Sequence, residues 1–231
     1  MSVPDHRLDQ GDCPDSGAPG WYGKLPAIGD FAFRRLPQHF IAAWDRWLAD
    51  GLNASRAVLG DRWLECYLNA PVWRFGLMRG LIDEQAWFGI MMPSVDRVGR
   101  YFPLTVVAPI AQPGSLEDAR SLEQWLRRVE SAALTVLSDK SSLDGFERLL
   151  VGLTPTAAAV ASLADEKAVT GPWPIRADDF ADALTGAALA AFWRNLSGGS
   201  LWWSADRPAI YRHPRLPAAA DFHLLLAQAS D

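Results

Sequence analysis

The segment from Ala86 to Ile110 reads A-W-F-G-I-M-M-P-S-V-D-R-V-G-R-Y-F-P-L-T-V-V-A-P-I. Two apolar runs, Ala86 to Met92 and Phe102 to Ile110, enclose a short charged loop. Neither run alternates between apolar and polar residues, which marks strands covered on both faces. The connection from Pro93 to Tyr101 is too short for a helical crossover, so the two strands are predicted to pair antiparallel. Pro103 removes one ladder donor and is placed at the strand's start or at a bulge. The loop poses the functional question, because Asp96, Arg97 and Arg100 surround a single glycine, Gly99.

Upstream, Pro71 to Met78 is a third strand candidate, with Trp73, Phe75 and Leu77 on one face and Arg74 pointing the other way. That alternation suits a half-covered strand. Before it, Phe40, Trp44, Trp47, Leu48 and Leu52 recur at helical spacing, which predicts an amphipathic helix from Gln38 to about Leu59-Gly60. A shorter helix follows around Trp63 to Leu68. Further back, the Gly29-Asp30 turn leads into a short strand, Phe31 to Leu36. Structure is expected to begin at Trp21. Residues 1–19 are rich in Asp, Pro and Gly and read as a flexible tail.

Downstream, a helix is expected from about Leu116 to Ser138, capped by Ser115, with Glu117 and Asp118 complementing its dipole. Residues 143–152 form another helix, and Thr154 to Leu163 is ambiguous. Gly171-Pro172-Trp173-Pro174 breaks the chain. Asp178 or Asp179 then starts a helix to about Asn195, closed by Gly198-Gly199. Two short strands, Leu201 to Ser204 and Ala209 to Arg212, precede a closing helix in D-F-H-L-L-L-A-Q-A. Doubly covered strands need helices on both faces. The expectation is one α/β domain over residues 20–231, a three-layer α/β/α sandwich with a mixed, partly antiparallel central sheet.

Composition narrows the function classes. The chain has 231 residues, of which 49% are hydrophobic, enough for a sizeable core. Eleven tryptophans imply that most are buried, with indole N–H groups finding acceptors. The net charge of −5 argues against nucleic-acid binding, which needs an excess of Lys and Arg. The positive charge is mostly arginine, which suits planar, partly buried pairing. Cys13 and Cys66 make neither a disulfide framework nor a zinc site. The N-terminus has no apolar signal region, and no window of about 18 apolar residues suggests a membrane span. The expected location is cytoplasmic.

The motifs of common chemistry are missing. Gly23-Lys24 lacks the earlier glycine and the Ser or Thr of a phosphate loop, and no G-x-G-x-x-G follows a strand. His6, His39, His213 and His223 are scattered without metal-ligand spacing, so neither metal nor cofactor is expected. There is no nucleophile elbow. Ser94 and Asp96 form a weak serine–aspartate pair that needs a histidine from elsewhere. The paired carboxylates Asp83-Glu84 and Asp178-Asp179 sit at turns or helix starts and read as solvated caps.

Several ordered stretches resemble one family. G-W-Y-G-K-L-P-A-I-G-D-F-A-F-R-R-L-P, W-D-R-W-L, A-P-V-W-R-F, P-S-V-D-R-V-G-R-Y-F-P-L-T and S-L-W-W-S are similar to the TagF family of type VI secretion-associated proteins. The resemblance covers Gly20 to about Ile110, and the C-terminal half more loosely. It implies a cytoplasmic, post-translational repressor of type VI secretion that binds a forkhead-associated scaffold protein and is linked to threonine-phosphorylation control. It also agrees with a three-layer α/β/α fold. Some members of the family are fused to a PP2C-like phosphatase domain. This chain is too short for one and lacks its metal-binding aspartate motifs, so phosphatase activity is not carried over.

The family supplies no catalytic residues. The Gly29-Asp30 turn and the Asp96–Arg100 loop both border buried strands, which suggests that they meet in one docking face. The candidate partner-binding residues are Lys24, Asp30, Arg34, Asp96, Arg97, Arg100 and Trp202. In Trp202-Trp203 adjacent strand residues face opposite sides, so one can be core and the other an exposed anchor. The bland alternative for the loop is a staple, with arginine and aspartate satisfying strand-end groups. Two further readings are a hydrolase using Ser94, Asp96 and a remote histidine, and a phosphate or phosphopeptide sensor gripping through Arg97 and Arg100.

Overall fold

The computed structural model describes residues 17–112, 116–138, 142–155 and 197–227. Among the described residues seven strands form one sheet in the order β2-β1-β5-β4-β3-β6-β7. They are β1 (Gly20–Gly23), β2 (Ala32–Arg34), β3 (Trp73–Leu77), β4 (Trp87–Met92), β5 (Leu104–Pro109), β6 (Ser200–Ser204) and β7 (Arg207–His213). The helices are α1 (Gln38–Leu59), α2 (Trp63–Leu68), α3 (Leu116–Leu134), α4 (Leu143–Val151) and α5 (His223–Leu226).

Every strand pairing among the described residues is antiparallel. The expected mixed sheet is therefore corrected. Apolar runs on both faces report double coverage, not parallel pairing, and here an antiparallel sheet carries a hydrophobic cluster on each face. The expected hairpin stands, with Gly89 opposite Val107 and Met91 opposite Thr105. Pro103 lies immediately before β5, where no ladder bond is lost. β1 was not expected as a strand. It lies between β2 and β5, with Tyr22 opposite both Phe33 and Thr105.

The sheet separates two hydrophobic clusters. On one face Trp21, Phe88, Ile90, Leu104, Val106 and Trp203 share a cluster with Leu122, Leu126 and Val129 of α3 and Phe146 and Leu150 of α4. On the other, Tyr22, Trp73, Phe75, Val107 and Trp202 join Phe40, Trp44 and Leu48 of α1, Tyr67 of α2 and Phe222. The predicted apolar stripe of α1 is the buried stripe. Every tryptophan among the described residues is buried, and each indole N–H has an acceptor. Trp44 donates to Thr105 Oγ1 at 2.8 Å, Trp47 to the Pro217 carbonyl at 2.8 Å and Trp73 to the Leu225 carbonyl at 2.8 Å.

Two strand readings change. Arg74 does not face solvent. It is buried on the α3 side, where its guanidinium bonds Glu123 and lies 2.7 Å from Glu130 Oε2. β3 is therefore covered on both faces, and a salt-bridge network takes the place of apolar contact at that point. Trp202 and Trp203 do face opposite sides, but each side is a core, so neither is an exposed anchor.

α3 ends as expected, with a 3-10 turn at Thr135–Leu137 extending it. At α4, Ser142 caps the helix by accepting from the Gly145 N–H at 3.1 Å. The closing helix is short, four residues after a 3-10 turn at Ala219–Asp221. The expected helix from Asp178 or Asp179 to Asn195, the Ser115 cap, the ambiguous stretch beyond Pro155 and residues 1–16 of the expected tail lie outside the described residues.

Candidate functional site

The loop between β4 and β5 continues the hairpin past the ends of the strands. The Phe102 N–H donates to the Ser94 carbonyl at 3.2 Å, Val95 bridges Tyr101, and the Asp96 N–H donates to the Arg100 carbonyl at 3.0 Å. Three residues, Arg97 to Gly99, then close the turn, with Gly99 at φ 84°, a left-handed conformation that glycine adopts without a Cβ penalty.

The Asp96 carboxylate organises the turn. Oδ1 accepts from the Val98 N–H at 3.0 Å and the Arg100 N–H at 2.8 Å. Oδ2 accepts from Lys24 Nζ at 2.8 Å and Arg100 Nε at 2.6 Å. Burial alone would raise the Asp96 pKa. The bonds from Lys24, from the Arg100 backbone and side chain and from the Val98 N–H outweigh it and hold the carboxyl well below the usual carboxylate range. Lys24 follows β1, so this pair ties the hairpin tip to the segment leaving the strand beside β5. Ser94 reinforces the tie by donating its hydroxyl to the Lys24 carbonyl at 2.7 Å. Tyr67 of α2 brackets Ser94, donating to its carbonyl at 2.8 Å and accepting from its N–H at 3.0 Å.

The Gly29-Asp30 turn packs directly on this tip. The Arg97 N–H donates to the Ile28 carbonyl at 3.1 Å, and the Arg100 guanidinium donates to the Gly29 carbonyl. Asp30 Oδ1 lies 3.8 Å from Arg100. Phe31 stands edge-on to Phe102 with ring centroids 4.7 Å apart, and Lys24 Nζ sits 4.8 Å from the Phe31 ring centroid.

The structure thus brings Lys24, Asp30, Asp96, Arg97 and Arg100 together. It does not leave them equally available. Lys24 and Asp96 are 4% and 3% exposed, so they hold the loop and present no charge to a partner. Trp202 is 0% exposed in the α1-side core, a correction to its reading as a contact. Arg34 is elsewhere, on the α4 side, 3.8 Å from Glu147. Asp30, Arg97 and Arg100 remain at the surface. Sequence reasoning missed the exposed aromatics Phe31 and Phe33 and the exposed Val98. Their signal was an apolar residue within a charged turn.

The remaining candidates do not assemble into chemistry. The Ser94 hydroxyl is committed to a backbone carbonyl, and no histidine among the described residues bonds to it. The hydrolase reading loses its required partner. His39 Nε2 instead contacts Asp83 Oδ2 at 2.6 Å. Asp83 is more than a solvated cap. It also accepts from the Gln85 N–H and the Trp87 indole, fixing the β3–β4 turn to the start of α1. Among the described residues no cluster of His, Cys, Asp and Glu could hold a metal, and no helix is long and apolar enough to cross a membrane.

The described residues thus form an antiparallel α/β scaffold with a stapled, charged hairpin tip. A family model, TagF N-terminal domain, Type VI secretion system-associated, matches residues 20–153, and the chain belongs to that family. Among solved structures, the crystal structure of PA0076 from Pseudomonas aeruginosa PAO1 is 35% identical, with a TM-score of 0.73 over 93% of this chain and 96% of that one. The comparison with curated proteins gives no match.

Proposed function

We propose that this protein is a non-enzymatic, cytoplasmic regulator that represses type VI secretion by occupying an apparatus component, a forkhead-associated scaffold being the expected partner. The scaffold is read as a three-layer α/β/α sandwich that presents the docking face at one end of its sheet. Membership of a type VI secretion-associated family supports the setting. The observation that carries the mechanism is the Asp96 staple. Four bonds to one buried carboxylate rigidify a surface loop that performs no visible chemistry, and rigid surface loops are where binding residues concentrate. A folded partner would bury about 800 Å² on each side.

The test is capture by the tagged, whole chain from cytosol that carries a type VI secretion cluster, with mass spectrometry of what is retained. Recovery of the forkhead-associated scaffold, together with lowered secretion on overproduction of this chain, is the expected result. Recovery of no apparatus component, with secretion unchanged, overturns the reading.

A further inference from the structure

We propose that the tip of the loop, Arg97 with the exposed Val98, is a receptor for an acidic segment of a protein partner in which a carboxylate adjoins an apolar side chain. This rests on the docking reading above and names the chemistry of its partner.

The argument begins with how the charges are used. Lys24, Arg97 and Arg100 face Asp30 and Asp96 at this junction. Lys24 is spent on Asp96 at 2.8 Å. Arg100 is spent on Asp96, on the Gly29 carbonyl and, at 3.8 Å, on Asp30. Arg97 uses its backbone N–H to hold Ile28, but its guanidinium makes no hydrogen bond or ion pair among the described residues. Three cations against two carboxylates leave one positive charge, and it is that of Arg97. The protein as a whole has the opposite sign, with a net charge of −5. A negative partner group would therefore be drawn to this point against the overall field.

Two exposed apolar side chains belong to the same junction. Val98 is 66% exposed and Phe31 is 42% exposed. A free guanidinium with an exposed isopropyl group next to it in the chain matches a carboxylate adjoining an aliphatic or aromatic side chain. The guanidinium offers two parallel N–H bonds to one carboxylate. Because the loop is already ordered by Asp96, little conformational freedom is lost on binding. Phosphate is the weaker fit. Gripping its higher charge takes a cluster of free arginines, and Arg100 is already committed within the loop.

The test is fluorescence anisotropy with the whole chain and a labelled octapeptide, Gly-Asp-Leu-Glu-Phe-Asp-Leu-Gly. Two control peptides carry lysine at the acidic positions or a single phosphothreonine in a Gly-Ser background. Saturable binding of the acidic peptide is expected, weakened about tenfold by Arg97→Glu, less by Arg97→Lys, and weakened by Val98→Asp and by added salt. Arg128→Glu, on the exposed side of α3, is expected to leave it unchanged. Absence of saturable binding, equal binding of the lysine peptide, or indifference to Arg97→Glu overturns the proposal. Binding of the phosphothreonine peptide alone also overturns it, in favour of a phosphate site. If the native chain and Arg97→Glu capture the apparatus component equally while the acidic peptide fails, this inference falls and the regulatory reading stands. If the native chain captures nothing but binds the peptide, the reverse holds.

Discussion

Lys24 Nζ and Asp96 Oδ2 lie 2.8 Å apart with side chains 4% and 0% exposed, so the charged loop is held by an ion pair that solvent does not reach. Removing one member of such a pair leaves an uncompensated buried charge, which costs about 3–5 kcal/mol. Lys24→Met is expected to fall near the lower end, about 3 kcal/mol, because Arg100 still bonds Asp96. Urea unfolding followed by tryptophan fluorescence measures it. A loss under about 1 kcal/mol would mean that Arg100 alone neutralises the carboxylate.

The same carboxylate sets an acid limit. Its folded pKa lies below the unfolded value of about 3.9. The unfolded chain therefore binds more protons as the pH drops. The stabilisation is fully present above about pH 4 and is lost as the pH falls through the folded value. Asp83, lowered by its bonds from His39, Gln85 and Trp87 against the raising effect of burial, acts in the same direction. Asp96→Asn is expected to be less stable than the native chain at pH 7, with the gap narrowing towards pH 3. A constant gap across that range would show that Asp96 does not titrate with folding.

Gly51 sits in α1 where a Cβ would lie 2.2–2.8 Å from three atoms of the Phe222 ring. Helix propensity favours alanine here by about 1 kcal/mol, but the ring is wholly buried and also packs on Trp47 at a centroid distance of 5.2 Å. Overpacking of this kind costs about 1–3 kcal/mol. Gly51→Ala should destabilise by about 1 kcal/mol or more and shift the tryptophan emission. A gain in stability would show that Phe222 moves aside freely.

What the sequence could tell depended on the range of each interaction. The start of α1 at Gln38 and the Ala86–Ile110 hairpin were legible because period and loop length are local. The Asp96–Arg100 pair was legible for the same reason, at i,i+4. Lys24 as its second partner was not, since it arrives from 72 residues away. β1 escaped notice because Gly20-Trp21-Tyr22-Gly23 is short, ends in glycine and does not alternate. The sheet's polarity was misjudged because burial of both faces says nothing about strand direction. Trp202 looked like an anchor because alternation separates two faces without saying that both are buried.

Arg74 shows the same limit and yields the last prediction. A charge in an alternating strand signals solvent unless its partner is visible, and its partners Glu123 and Glu130 lie 49 and 56 residues away on α3. Glu123 is itself buried and also takes bonds from the Trp203 indole and Arg127 Nε, each at 3.1 Å. Arg74→Met takes the buried guanidinium from Glu123, which keeps its bonds from Arg127 and the Trp203 indole, and should cost about 3 kcal/mol, the lower end for a broken buried pair. Arg74→Met with Glu123→Leu removes both buried charges and fills the space between β3 and α3 with apolar atoms. Glu130, nearer the surface, can then turn to water. The double variant is expected to recover part of that loss, because a buried ion pair and a packed apolar pair of similar volume are often close in stability, while the buried Trp203 indole loses its bond to Glu123 at a cost of about 1–3 kcal/mol. Chemical denaturation of both variants decides it. If the double variant is no more stable than Arg74→Met alone, the network supplies stability that apolar packing at this position does not replace.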